Sequence, residues 1–381
     1  MEHYDYLIVG AGLSGMVTAE QLSLKGRSCL IIDQRSHLGG NCFDKPDKNG
    51  VMYHVYGPHY FRTSVPRVRE YLSRFTEWRA ASYRIKVNSQ GRLWSFPINL
   101  ESYEEWLGKP ATEEDFKSYL AGLPKLSSIN NSRDVIVNAV GEEFFNLFYK
   151  GYTRKQWGRA AETLDASVTK RIPIRTCRDD RYFSDDFQAL PKFGYTHMFY
   201  RIWEAIKRQC PASHMQLDTS LKDIRKSKQI AYDHLLYSGP LDEYFDSRLG
   251  ELPYRSLRFS LECIGPDKLN NPDHPGFAQP ALQVNYAGDE AFTRSVEVKH
   301  ITGQITPYTN QVWEFPQEYE KGKNEPYYPV PYDEAQALAQ KYLAMAKAEP
   351  NTTFLGRMAL YRYINMDQVV NEALQVSETL K

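Results

Sequence analysis

The apolar positions of this chain change period several times, and each change marks an element. Leu7-Ile8-Val9 is a short continuous run that breaks into Gly10, Gly12 and Gly15, and a second run, Cys29 to Ile32, ends at Asp33. A strand, a glycine turn, a helix and a second strand are predicted from that order. From about residue 97 to 170 the spacing turns helical. Ile136, Ala139, Val140, Phe144, Leu147, Phe148 and Gly151 recur at three- and four-residue steps, and Thr112 with Asp115 has the spacing of a capping box. Residues 191–240 return to an alternating plan, with a helix around Tyr195 to Lys207 and a strand from Asp233 to Tyr237. Between 253 and 316 the period falls to two, as in Leu257, Phe259, Leu261 and Cys263 and again in Leu282, Val284 and Tyr286, which predicts an antiparallel sheet. A helix over about Asp333 to Ala348, a strand-like Thr353-Phe354-Leu355 and a closing helix from about Met366 to Leu380 complete the pattern.

The first turn carries chemistry. Gly10 permits a tight strand-to-helix turn, Gly12 lets a pyrophosphate approach the backbone, and Gly15 lets the helix pack closely on the strand. Asp33 stands 23 residues past Gly10, near the roughly 20-residue spacing of a carboxylate that accepts hydrogen bonds from an adenosine ribose. Six residues further on comes a second glycine turn, Gly39-Gly40-Asn41. NAD dehydrogenases usually lack it, and flavoproteins related to glutathione reductase and the amine oxidases have it, so FAD is the expected cofactor. Gly356-Arg357 and the closing helix at Met366 fit the flavin-binding return of such proteins, where a helix N-terminus stabilises negative charge on the reduced ring. The expected fold class is therefore α/β: a Rossmann-like FAD-binding domain from residues 1–90, 191–245 and 321–381, interrupted by an α-helical domain, 91–190, and an antiparallel β-sheet domain, 246–320. Substrate is expected where the three meet.

Composition narrows the partners. The 381 residues hold 47 Lys plus Arg against 47 Asp plus Glu, which argues against a nucleic-acid binder acting through bulk charge. No apolar run is long enough to span a membrane, and the start of the chain lacks the regions of a signal peptide. The five cysteines are scattered without a CxxC pair, so a reduced, cytoplasmic protein without a metal site is expected. The 27 tyrosines and 6 tryptophans suit stacking on a base or sugar and hydrogen bonding to phosphate.

The string Phe148-Tyr-Lys-Gly-Tyr-Thr-Arg-Lys-Gln-Trp157-Gly-Arg is the most specific in the chain, and others follow it in order. They are Lys170-Arg171-Ile-Pro, Tyr182-Phe-Ser-Asp185, Ser238-Gly-Pro-Leu-Asp-Glu-Tyr-Phe-Asp, Pro253-Tyr-Arg-Ser-Leu, Phe292-Thr-Arg294, Glu325-Pro-Tyr-Tyr-Pro and Gly356-Arg357. Together with Gly-Pro-His59 they closely resemble the bacterial UDP-galactopyranose mutases from residue 4 to about 375. The resemblance implies a redox-neutral ring contraction of a nucleotide-sugar pyranose to its furanose, UDP-galactose to its galactofuranose form, for cell-surface polysaccharide. Reduced flavin N5 attacks the anomeric carbon, the nucleoside diphosphate leaves, and NAD(P)H serves only as external reductant. A nucleotide sugar is the implied partner, and a homodimer the assembly considered.

Carried over position by position, the diphosphate-binding arginines fall on Arg171 and Arg294. The phosphate-contacting tyrosines fall on Tyr182, Tyr363 and one of Tyr327 or Tyr328. Phe148, Tyr152 and Trp157 match residues lining the uridine end, Arg357 should lie against the flavin, and His59 matches a histidine that tunes its reduced state. Three departures stand out. The family's His-Ile-Phe-His-Thr is His59-Tyr-Phe-Arg62-Thr here, its Tyr-Tyr-Asp-Met-His is Tyr363-Ile-Asn365-Met366-Asp367, and its Pro-x-Gly-Gly-Tyr is Pro191-Lys-Phe193-Gly-Tyr. They leave open an N-acetylated, deoxy or otherwise modified sugar, and a flavin oxidoreductase with net electron transfer is the alternative from another class.

Overall fold

The structure, a computed structural model, describes residues 2–170, 173–269 and 272–381. At its centre is a five-stranded, all-parallel sheet in the order His214–Gln216, Cys29–Ile32, Glu2–Val9, Ile230–Tyr237, Thr352–Phe354. The first strand of the chain lies in the middle because its Leu7 and Ile8 are buried on both faces, as a continuous apolar run demands. The helix Leu13–Leu24 packs against the helix Tyr195–Gln209 and the closing helix Met366–Thr379, and it is buried almost all round. Hence its sequence shows little amphipathic pattern.

Beside this lies a seven-stranded sheet in the order Tyr328–Pro329, Tyr254–Ile264, Thr309–Glu318, Arg294–Val296, Gln283–Tyr286, Ile85–Ser89, Arg92–Phe96. Every joint is antiparallel except that of Gln283–Tyr286 with Ile85–Ser89. Two observations bear on the expected domain limits. The limit between residues 90 and 91 falls at the turn of the hairpin Ile85–Ser89 and Arg92–Phe96, whose strands extend the sheet expected from residues 246–320 alone. Within the expected helical segment, Phe187–Pro191 is instead the middle strand of a three-stranded sheet with Phe61–Thr63 and Trp78–Ala80. The period-two reading of Leu257 to Cys263 also weakens, with Leu257 buried and Leu261 37% exposed. Past Arg255 that strand has a hydrogen-bonded neighbour on one side only, and Arg258, Ser260, Leu261 and Glu262 are exposed there.

The helical region holds three capped helices, Leu100–Leu107, Glu113–Gly122 and Ser132–Val140. Thr112 and Asp115 form the reciprocal capping box their spacing indicates. At Gly141 the chain breaks with φ +88°, and a wide helical turn, Phe145–Tyr149, then carries it into the helix Lys150–Trp157. Such turns inside helices are frequent at functional sites because they rotate the following side chains. Gly151 lies against the neighbouring sheet. A Cβ there would stand 2.0 Å from the Ala287 carbonyl oxygen.

That contact makes a clean comparison. Gly151→Ala should destabilise the protein by about 1–3 kcal/mol, the range for overpacking, whereas Gly122→Ala, which meets nothing within 4 Å, should be neutral or slightly stabilising. Urea denaturation midpoints of the two variants check this, and equal midpoints would remove the close helix-to-sheet approach from the account.

Candidate active site

All five parallel strands end at one edge, and the loops after them line a cavity of about 700 Å³. Gly10 has φ +110°, and a Cβ on it would meet the Ser238 hydroxyl at 2.1 Å. On Gly15 a Cβ would stand 1.9 Å from the Gly10 carbonyl oxygen, so this residue acts through packing and does not border the cavity. Gly12 caps the buried helix without a side-chain hydrogen bond, and its Cβ position faces Gly40 at 3.7 Å. The first-turn N–H groups are thus left for an anion, between two glycine turns that keep the space clear. Asp33 accepts the Ala11 N–H through Oδ2 and the Arg35 N–H through Oδ1, both at 2.9 Å, which fixes its carboxylate at the cavity rim. These residues fit the phosphates and ribose of FAD, with Gly39, Gly40, Asn41, Gly356 and Arg357 along the rest of the wall.

A narrower cavity of about 230 Å³ adjoins it. Asn41, His59, Arg357 and Met366 line both, so the junction falls where the expected flavin residues are. The second cavity gathers Phe148, Tyr152, Trp157, Tyr182, Tyr327, Tyr328, Tyr363, Arg62, Arg294 and Asn365, which are 148 to 365 residues into the chain apart from Arg62. Arg171 lies outside the described residues.

Sheet register places the central charge. Val87 pairs with Asn285, Asn285 with Arg294, Arg294 with Glu314, and Glu314 with Phe259, a row across five strands. Side chains in one row share a face, and this row points its Arg294 into the cavity. Arg294 Nε lies 3.2 Å from Glu314 Oε1; the Glu314 side chain is buried and that of Arg294 is 17% exposed. Burial alone would lower the Arg294 pKa, but Glu314 and the nearby phenols of Tyr152, Tyr328 and Tyr182 hold it well above its ordinary value. Burial pushes the Glu314 carboxyl up, and Arg294 offsets part of that rise. Beneath them, Tyr60 donates to Gln283 Oε1 at 3.1 Å and Gln283 Nε2 donates to Asn285 Oδ1 at 2.7 Å.

The helix Lys150–Trp157 supplies the aromatic wall. Arg255 Nε donates to the Gln156 carbonyl at 3.1 Å and Lys155 Nζ to the Phe292 carbonyl at 3.0 Å, which pins this helix to the sheet. Tyr327 and Tyr328 now separate. Tyr328 stands among Arg294, Glu314, Tyr363 and Arg357, while Tyr327 leans on Tyr56 and Phe259. Arg357 Nη2 donates to the Ile364 carbonyl at 2.8 Å and its guanidinium lies 5.0 Å from the Tyr363 ring centre.

Two sequence departures look different in place. Arg62 is not a lone cation: its Nη1 donates to Asp185 Oδ2 at 2.6 Å and it lies over the Phe183 ring at 4.2 Å. Asn365 is the N-cap of the closing helix, a position that favours asparagine, and its backbone N–H is bonded to Gln368 Oε1 at 2.9 Å. Glu314, Gln283, Asn285, Asp185 and Arg35 were missed in the sequence. Glu314 carried a signal, a charge flanked by Trp313 and Phe315 in an apolar strand, and Asp185 ended the string that begins at Tyr182.

His59 Nδ1 bonds the Gly57 carbonyl at 2.9 Å and therefore carries the ring hydrogen, while His54 Nδ1 accepts the His59 backbone N–H at 3.0 Å. Burial first, and then the neighbouring His54, lower the His59 pKa from 6.5 to about 3. Burial lowers that of His54 to about 4.

Comparison with known proteins follows the geometry. The family model for UDP-galactopyranose mutase matches residues 147–363, and that for an NAD(P)-binding Rossmann-like domain matches residues 8–75. The probable UDP-galactopyranose mutase of Klebsiella pneumoniae is 35% identical over 99% of this chain and 95% of its own length. The dTDP-fucopyranose mutase of Escherichia coli is 31% identical over 98% and 97%. The crystal structure of a reduced UDP-galactopyranose mutase superposes with a TM-score of 0.76 at 16% identity, covering 99% of this chain and 93% of that one, and shows the shared fold. The fold and the paired cavities define an FAD-dependent mutase. The chain belongs to the UDP-galactopyranose mutase family.

The two histidines imply a pH dependence. An unfolded chain protonates both below pH 6.5, whereas the folded protein resists until about pH 4 and 3. The unfolded state therefore binds more protons in that window, so stability is full above pH 6.5 and falls as the pH drops toward 4. His59→Gln should flatten this fall. Urea midpoints at pH 7 and 4.5 measure it, and an unchanged slope would mean that His59 is not buried as a neutral ring.

Proposed function

We propose that the enzyme interconverts UDP-galactopyranose and UDP-galactofuranose without net oxidation, and does so only with its flavin reduced. The observation that carries this reading is Arg294, charged and held against buried Glu314 between an aromatic wall on one side and the junction with the cofactor cavity on the other. When bound, reduced FAD supplies the nucleophile that displaces the nucleoside diphosphate from the anomeric carbon. Phe148, Tyr152 and Trp157 hold the base by stacking, while Arg294, Tyr328, Tyr363 and Tyr182 take the diphosphate. As the bond from the anomeric carbon to the diphosphate breaks, negative charge grows on the leaving oxygens, and a fixed guanidinium in a desolvated site stabilises it without reorganising. Arg171 would add a second charge, and His59, as a neutral ring, would sit near the flavin without repelling that site's cationic neighbours. A cytoplasmic location, a homodimer and NAD(P)H as external reductant complete the proposal.

A second reading, the same chemistry on a modified sugar, is favoured by the group at the sugar end. Arg62 with its Asp185 partner, Asn365 and Asp367 replace or accompany residues of the family pattern there. The relative that acts on dTDP-fucopyranose is about as similar over its full length.

Anaerobic incubation of dithionite-reduced enzyme with a panel of nucleotide sugars, resolved by chromatography, tests both readings. A furanose product appearing only after reduction is expected; an oxidised product, or equal turnover with oxidised enzyme, would overturn the mutase mechanism. On the same panel Asn365→Asp should move the kcat/KM ratio severalfold toward UDP-galactose if the amide donates to a sugar substituent. An unchanged ratio would leave Asn365 as a helix cap alone.

Arg294→Ala should lower kcat by about two orders of magnitude or more, since losing a charge-assisted contact to the leaving group removes roughly 3 kcal/mol of transition-state stabilisation. FAD content should stay normal. Near wild-type kcat would show that the diphosphate is held elsewhere.

A further inference from the structure

One ion pair joins the two cavities. The Arg35 guanidinium pairs through Nη2 with Glu325, donates from Nη1 to Asn41 Oδ1 at 2.9 Å, and lies over the Tyr56 ring 4.2 Å from its centre. The Tyr56 hydroxyl is in turn held by His37 Nε2 at 2.6 Å. Arg35 and Glu325 border the cofactor cavity, Tyr56 borders the substrate cavity, and Asn41 borders both. Glu325 begins the segment Glu325-Pro326-Tyr327-Tyr328, which passes from one cavity to the other within four positions. Behind Arg35 stands Asp33, whose carboxylate already holds the Arg35 backbone and the first glycine turn.

An exposed ion pair contributes about 0–1 kcal/mol. Arg35 differs in having three partners on three segments, with its side chain only 18% exposed. A planar fork can serve a carboxylate and an amide at once while stacking on a ring; an ammonium cannot.

We propose that Arg35 is a positioning residue: by tying the second glycine turn to Glu325 it sets where Tyr328 stands beside Arg294, and so links the cofactor turn to substrate affinity. The proposal rests on the nucleotide-sugar reading. Arg35 touches no reacting atom, so its loss should weaken substrate binding more than turnover.

The experiment uses FAD-loaded enzyme and UDP as the probe. In Glu325→Gln and in Arg35→Lys, the UDP Kd and the KM for the nucleotide sugar should rise about tenfold, with stoichiometric FAD and kcat within about threefold. Neutralising the exposed pair of Arg67 with Glu378→Gln should change none of these. Unchanged UDP affinity in FAD-replete Glu325→Gln would overturn the proposal, as would FAD loss with normal UDP affinity after reconstitution, which would make Arg35 a cofactor residue only. Should Arg35→Lys fail to fold, Glu325→Gln decides alone. A wild-type enzyme that does not bind UDP would instead overturn the nucleotide-sugar reading, an outcome distinct from both.

Discussion

The pair of Arg294 and buried Glu314 is the constraint around which the candidate site is arranged. Moving one guanidinium into a protein interior is unfavourable by several kcal/mol unless an opposite charge accompanies it. Glu314 is that charge, delivered by register: the two residues are direct cross-strand partners, so any slip of the strands by one position would send one of them to the opposite face. The distance is 3.2 Å, yet Arg294 Nε and Glu314 Oε1 make no well-aligned hydrogen bond with each other. The pair is thus electrostatically matched and incompletely satisfied, which leaves the guanidinium with unspent capacity for an anionic ligand. Stability and function here pull in different directions, as is common where charge is kept for a ligand.

A second constraint is the shared wall. Asn41, His59, Arg357 and Met366 come from four separate stretches of the chain, and each faces both cavities. A cofactor and a substrate held on either side would meet there without any loop having to carry the chemistry. The parallel sheet fixes one side through the ends of its strands, and the mixed sheet fixes the other through its Arg294 row. The helical region supplies the aromatic wall at the far end.

How much of this was legible follows from how far apart the interacting residues are. The glycine turns, Asp33, the helix Asp333–Ala348 and the closing helix all rest on neighbours within a few positions, and their spacing alone indicated them. The resemblance then implied one neighbourhood for side chains far apart in the chain without saying how they touch. Neither route revealed that Ile85–Ser89 pairs in parallel with a strand almost 200 residues later, because a two-residue period says which face is buried and nothing about which strand lies alongside. The pairing of Arg62 with Asp185 was hidden for the same reason. An arginine in a string reads as a free charge, and its partner is 123 residues away. Tyr327 and Tyr328 could not be told apart by position; both line the cavity, and Tyr328 is the one that stands beside Arg294 and Tyr363.

The departures from the family pattern are not spread evenly, and their placement constrains what they can do. Arg62 sits on the strand Phe61–Thr63, and Asn365 and Asp367 open the closing helix. A substitution at the base or diphosphate end would alter how any nucleotide sugar is held, whereas one at the sugar end alters only which sugar fits. Arg62 is held by Asp185 and Phe183, so its remaining donors are fixed in direction before a ligand arrives. A pre-oriented donor rewards a sugar that offers it an acceptor, and an unmatched one penalises a sugar that does not. On the proposed reading, chemistry common to the family and a locally altered sugar end are therefore compatible features of one site.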